Sequence, residues 1–157
     1  MAIVLCGMTK CRICGSVIER GDDVVPFPHV VLNEADPLHA LSDAACHRSC
    51  LNGDPLGVRM CEVSEQYLAK AGPGKRACAA CNIEVRDPDD YLFICYLADP
   101  ADDPLGRFNW THLHKSHISG WAQAGEFLML AKATLSKGHW QGAALAKIVR
   151  EIETRNP

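Results

Sequence analysis

The sequence predicts an α+β chain of two tandem modules on one plan, each a cysteine knuckle, a β-hairpin and a helix, with additional C-terminal helices. Three observations predict it: a four-residue Cys/His pattern that occurs twice, an ungapped likeness between the stretches that carry it, and apolar residues at helical spacing beyond the second copy. Cys11, Cys14, His47 and Cys50 spell C-x2-C-x32-H-x2-C. Cys78, Cys81, His114 and His117 repeat the gaps with His in the last place, every position displaced by 67 residues.

Two cysteines separated by two residues turn the chain so that their sulfurs converge, and a pair at i, i+3 on a helix projects from one face. Four nitrogen and sulfur donors of this kind suit a tetrahedral Zn²⁺. The pattern therefore predicts two structural zinc ions, one held by Cys11, Cys14, His47 and Cys50 and one by Cys78, Cys81, His114 and His117. With four protein donors on each ion, no place is left for a catalytic water. Zinc is expected to fold the chain, not to do chemistry.

The likeness extends beyond the ligands. Laying residues 11–53 on 78–120 aligns Cys11/Cys78, Cys14/Cys81, Asp22/Asp89, Asp23/Asp90, Asp36/Asp103, Pro37/Pro104, Leu38/Leu105, His47/His114, Ser49/Ser116 and Gly53/Gly120, ten identities without a gap. Ordinary composition would give roughly two or three. Duplication of one module is the economical explanation.

Within a module the elements follow in order. Cys11-Arg-Ile-Cys14-Gly15 is a turn, Gly21-Asp22-Asp23 a hairpin-type turn, and Val24 to Leu32 reads extended, with Pro26 and Pro28 confining it to an edge. Its counterpart, Tyr91 to Ala98, lacks proline and is apolar on both faces, so it is expected to be the more buried strand. In the repeated Asp-Pro-Leu, Asp is expected to bond forward to backbone amides while Pro fixes φ. Ser42 or Asp43 is expected to cap the helix carrying His47 and Cys50, and Asn109 or Thr111 the one carrying His114 and His117, with Gly53 and Gly120 ending them. Knuckle, hairpin and helix in this order describe a treble-clef zinc finger.

The frame Cys11-x2-Cys14-x3-Ile18-x2-Gly21-Asp22, then His47-x2-Cys50 after a long gap, resembles the poly(ADP-ribose) polymerase-type zinc finger. The resemblance is limited to the ligand frame of each module and implies zinc binding and recognition of DNA ends. The second module departs from that pattern by ending in His117. The basic residues, Lys10, Arg12, Arg20 and Arg48 in the first module and Lys75, Arg76, Arg86, Arg107 and Lys115 in the second, read as solvated surface.

Between the modules, Ser64 to Ala71 reads as a short capped helix ended by Gly72-Pro73-Gly74. Beyond them, Trp121, Ala124, Leu128, Ala131 and Leu135, widened by Phe127 and Leu130, form one apolar stripe stopping near Gly138. Leu145, Ile148, Val149 and Ile152 form another, with Lys147/Glu151 and Glu151/Arg155 on the opposite face. The expected divisions are a first zinc module over 1–71, a second over 72–120, and C-terminal helices over 121–157 that pack on the modules and complete the core, or alternatively serve a homodimer. Cys6, Cys46, Cys61 and Cys95 are expected to be buried as small hydrophobes, and Trp110, Trp121 and Trp140 to be core or hinge aromatics.

The composition bounds the function. A formal charge of −3 argues against broad phosphate binding. Nine Cys without an export signal point to a reducing, cytoplasmic setting, and no stretch is long and apolar enough for a membrane span. No Ser-His-Asp triad, P-loop or dinucleotide glycine motif occurs. The expected function is non-catalytic: two structural zinc modules presenting a macromolecule-binding surface, with a protein as partner. The alternatives are a nucleic-acid binder and a treble-clef nuclease in which His112, the histidine left free near His114 and His117, would be the base.

Overall fold

In the computed structural model, which describes residues 2–72 and 74–156, the fold is mixed α/β. It contains two small antiparallel sheets and four α-helices among the described residues. The first sheet pairs β1 (Val24–Pro26) with β2 (Ala45–His47), and the second pairs β3 (Tyr91–Ile94) with β4 (Thr111–His114). Helix α1 spans Arg48–Asn52, α2 Pro55–Ala71, α3 Ala124–Ser136 and α4 Ala144–Arg155. The chain divides into two compact units, Met1–Val31 with Asp36–Gln66, and Leu32–Ala35 with Tyr67–Pro157.

The predicted helix starts are corrected. Ala45–His47 and Thr111–His114 are strands, and each helical turn begins only after the first ligand histidine, as α1 and as a 3₁₀ turn over Lys115–Gly120. The predicted caps are used elsewhere. The Ser42 hydroxyl accepts from the amides of Val30 and Val31, while Asn109 Oδ1 accepts from the amide of Leu97. Asp43 and Trp110 have φ of 56° and 67°, a left-handed kink that turns the chain into a strand rather than a helix. As a result β1 pairs with β2, not across the Gly21 turn.

Many bonds recur at the same 67-residue offset. Val24 faces His47 and Tyr91 faces His114. The bridge Lys10–Val17 matches Ala77–Glu84. Asp36 and Asp103 each accept from the amide two residues on, at 2.8 Å, opening 3₁₀ turns over Pro37–Leu41 and Pro104–Phe108, so the Asp-Pro-Leu expectation holds. Gly15 and Asn82, both with positive φ, each donate back to the first cysteine's carbonyl.

Helix α2 begins nine residues before the predicted start. Asp54 caps it, its Oδ1 accepting from the amide of Gly57, and Pro55 supplies a first residue with φ preset. Ser64, the predicted start, lies inside it and is buried. At the other end it stops at Ala71, and Pro73 of the predicted Gly-Pro-Gly break lies outside the described residues.

Both C-terminal stripes are helical and face inward, except that Trp121, read as the first residue of its stripe, precedes α3 and follows the 3₁₀ turn instead. Ala124, Phe127 and Ala131 of α3 and Leu145, Ile148, Val149 and Ile152 of α4 join Val85, Ile94, Leu97, Leu105, Phe108 and Leu113 in the core of the second unit. Phe127, at the centre of the stripe, packs edge-on to Phe108. Of the predicted helix-surface pairs, Arg155–Glu151 forms at 2.7 Å.

Candidate metal centres

The sequence brings eight residues together as two groups of four. In each, one ligand atom per residue lies within 4.8 Å of the others: Cys11, Cys14, His47 and Cys50 in the first unit, Cys78, Cys81, His114 and His117 in the second. Each group can hold a metal ion. Donors about 2.0–2.3 Å from a shared tetrahedral ion lie roughly 3.3–3.8 Å from one another. The separations here bracket that value. His47 Nδ1 is 3.5 Å from Cys14 Sγ and 3.9 Å from Cys50 Sγ, and Cys81 Sγ is 3.5 Å from His114 Nδ1 and 3.1 Å from His117 Nδ1.

Local structure explains the convergence. The knuckle reverses at Gly15 or Asn82, which places both sulfurs of each C-x2-C on one side. The strand then delivers the first histidine at its end, in the N-cap position of the following turn, and the fourth donor sits three residues on in that turn. The amide of His47 donates to Cys11 Sγ at 3.4 Å, and that of His114 to Cys78 Sγ at 3.3 Å. N–H donors of this kind favour the thiolate that a metal requires.

The thiol acidities follow the same geometry. Burial opposes ionisation of Cys78, but the amides of His114, Ala80 and Cys81 bring it down to about 7. The amide and hydroxyl of Ser16, with His47, lower Cys14 to about 6, whereas burial and neighbouring sulfurs push Cys50 up to about 11. The thiol contact with Cys14, then Asp22, raises His47.

Sequence reasoning missed the carboxylate behind His47. His47 Nε2 donates to Asp22 Oδ2 at 3.2 Å. The Asp22/Asp89 identity pointed to the residue but not to this role, because Asp89 makes no such bond among the described residues.

Outside the centres, His112 is 5% exposed and both its nitrogens are used. The Tyr91 hydroxyl donates to Nδ1 at 2.7 Å, and Nε2 donates to the Lys70 carbonyl at 3.1 Å, at the end of α2. Burial lowers its pKa. The ring stacks on Phe93 at 4.7 Å and on Tyr91 at 5.8 Å. Of the four remaining cysteines, Cys46 and Cys95 are buried as expected, Cys61 is half-buried, and Cys6 is exposed, a correction to the sequence reading. None of the nine cysteines is paired in a disulfide. Trp121 and Trp140 are core residues, and Trp110 occupies the positive-φ kink. No helix among the described residues is long and apolar enough to cross a membrane. No protein-family model, curated protein or solved structure matches the chain.

Proposed function

We propose that the protein is a non-catalytic zinc protein whose two treble-clef modules, products of one duplication, are folded by structural Zn²⁺ and present a surface to a protein partner in the cytoplasm. The observation that carries this reading is the pair of four-donor clusters, in each of which sulfur and imidazole donors all lie within 4.8 Å of one another. Soft sulfur with imidazole nitrogen selects zinc over the oxygen-seeking divalent ions. The bonds repeated at a 67-residue offset support the duplication.

Absence of catalysis is supported by the donor count and by His112. A general base must reach its substrate, whereas His112 is enclosed with both nitrogens engaged.

The protein partner is favoured over DNA by the state of the basic side chains. Arg12 donates to the Ala40 carbonyl, Arg48 pairs with Asp23, Arg86 with Glu84 and Arg107 with Glu126, and Arg76 lies over the Tyr91 ring. Exposed apolar side chains are instead prominent near the start of the chain, with Ile3 82%, Leu5 53% and Met8 74% exposed. Exposed apolar side chains are surface that a protein partner could cover. The apolar stripes of α3 and α4 are used in the second unit's core, so a homodimer through them would have to use their outer faces.

Elemental analysis of protein purified without added metal tests the zinc reading: two zinc ions per chain are expected, with five thiols unmasked by chelation. One or none overturns it. Anisotropy with nicked and blunt DNA duplexes at low salt tests the partner class, and salt-sensitive binding would put DNA first.

A further inference from the structure

We propose that Asp22 is a positioning residue for the first metal centre, holding the His47 ring by its Nε2–H so that Nδ1 faces the ion, and that the second centre has no such device. This rests on the zinc reading above. A carboxylate only accepts, so the 3.2 Å contact places a proton on Nε2, and in the neutral imidazole that metal binding requires this leaves the Nδ1 lone pair for the metal. Nδ1 is the nitrogen that faces Cys14 and Cys50. A carboxylate behind a ligating imidazole fixes its tautomer and orientation and raises its basicity.

Asp22 is itself held. The same Oδ2 accepts from the Glu19 amide at 2.7 Å, and the adjoining Ile18, 1% exposed, is tied by its amide to the Thr9 carbonyl. The turn between them needs Gly21, whose φ is 101°.

The second centre shows why the device is not duplicated. Asp89 aligns with Asp22, but the residue aligned with Gly21 is Pro88, whose ring fixes φ near −65° and forbids that turn. The chain turns instead through Asp87, whose Oδ1 accepts from the Asp89 amide. The Asp89 carbonyl accepts from Lys115 Nζ, and the Asp90 carboxylate takes the amide and hydroxyl of Ser116. Among the described residues, Nε2 of neither His114 nor His117 has a hydrogen-bond partner.

The test is chelator competition on the full chain loaded with Co²⁺. The sulfur-to-cobalt absorption separates a site of three thiolates from one of two. Asp22→Asn, which keeps an acceptor for the Glu19 amide, and Asp22→Ala should each weaken the first site, by roughly 10- to 100-fold for the Ala variant. The second site should be unchanged, Asp22→Glu should restore part of the loss, and Asp89→Asn should alter neither site. In zinc-loaded wild type, nitrogen NMR of His47 should show Nδ1 on the metal and a proton on Nε2, a readout that needs no variant. Metal on Nε2, an unchanged first site in Asp22→Ala, or equal losses at both sites would overturn the proposal. If wild type binds fewer than two ions, the zinc reading itself fails.

Discussion

At the scale of single residues, the four cysteines outside the centres are separated by burial. Cys46 is fully enclosed and Cys95 is 6% exposed, and in both burial pushes the thiol up to about 11. The thiolate is the reactive form, so alkylation of the metal-loaded protein at pH 8 should modify Cys6 readily and Cys46 and Cys95 only after unfolding. Mass spectrometry of the labelled peptides checks this, and early labelling of Cys95 would contradict its placement. Mutation should separate ligands from the rest in the same way. Cys14→Ser removes a donor and should lose one metal ion, a site worth on the order of 10 kcal/mol of folding energy. Cys61→Ser, at a half-buried thiol on α2, should cost about 1 kcal/mol or less. The residues of the two clusters were legible because donor identity and spacing are properties of sequence. Asp22 was not, because its role depends on how Gly21 and Pro88 turn the chain, and aligned aspartates conceal that.

At the scale of elements, the long stripes were legible and the short strands were not. Thirteen residues of α3 and twelve of α4 repeat the helical period often enough to identify themselves. Ala45-Cys46-His47 is too short for a period, and a serine followed by an aspartate imitates a helix cap. The bonds that decide the matter come from Val30 and Val31, more than ten residues away. The start of α2 was readable in Asp54-Pro55 and missed, since Ser64 further on imitates a cap. The structure gives Gly57 a packing reason: a Cβ there would lie 2.7 Å from the Leu51 carbonyl oxygen and 2.8 Å from its Cα. Both atoms are backbone and cannot step aside, so Gly57→Ala should destabilise by about 1–3 kcal/mol despite alanine's better helix propensity. Chemical denaturation with metal in excess measures this, and a neutral or stabilising result would mean that α1 and α2 are less closely apposed.

At the scale of the molecule, the two units surround their centres with different elements. The second has a continuous core that includes Phe108, Trp121, Phe127 and Trp140 and the inner faces of two full helices. It also takes in Leu32–Ala35 from within the first repeat, where Asn33 Oδ1 accepts from the amides of Ala35 and Gln141, and its Nδ2 donates to the His139 carbonyl. Residues 11–53, the first of the two aligned stretches, are therefore not confined to one structural unit, since Leu32–Ala35 belongs to the second. The first unit has short strands, a five-residue α1 and most of α2 around its centre, with a core that includes Ile18, Phe27, Val31, Leu51 and Met60, and a small module of this kind is expected to need its metal to stay folded. Chelation should thus act unequally. The first unit should unfold, losing protection of the Ile18, Phe27 and Val31 amides, while α3 and α4 keep part of their helical signal against each other. Hydrogen exchange read by mass spectrometry, with and without chelator, resolves the two. Cys81→Ser should drop zinc from two ions to one and leave the first unit's amides protected, because every donor of the first centre lies within that unit. Uniform exposure of both units in Cys81→Ser would mean that neither centre folds its own unit, and that the chain folds cooperatively around both ions.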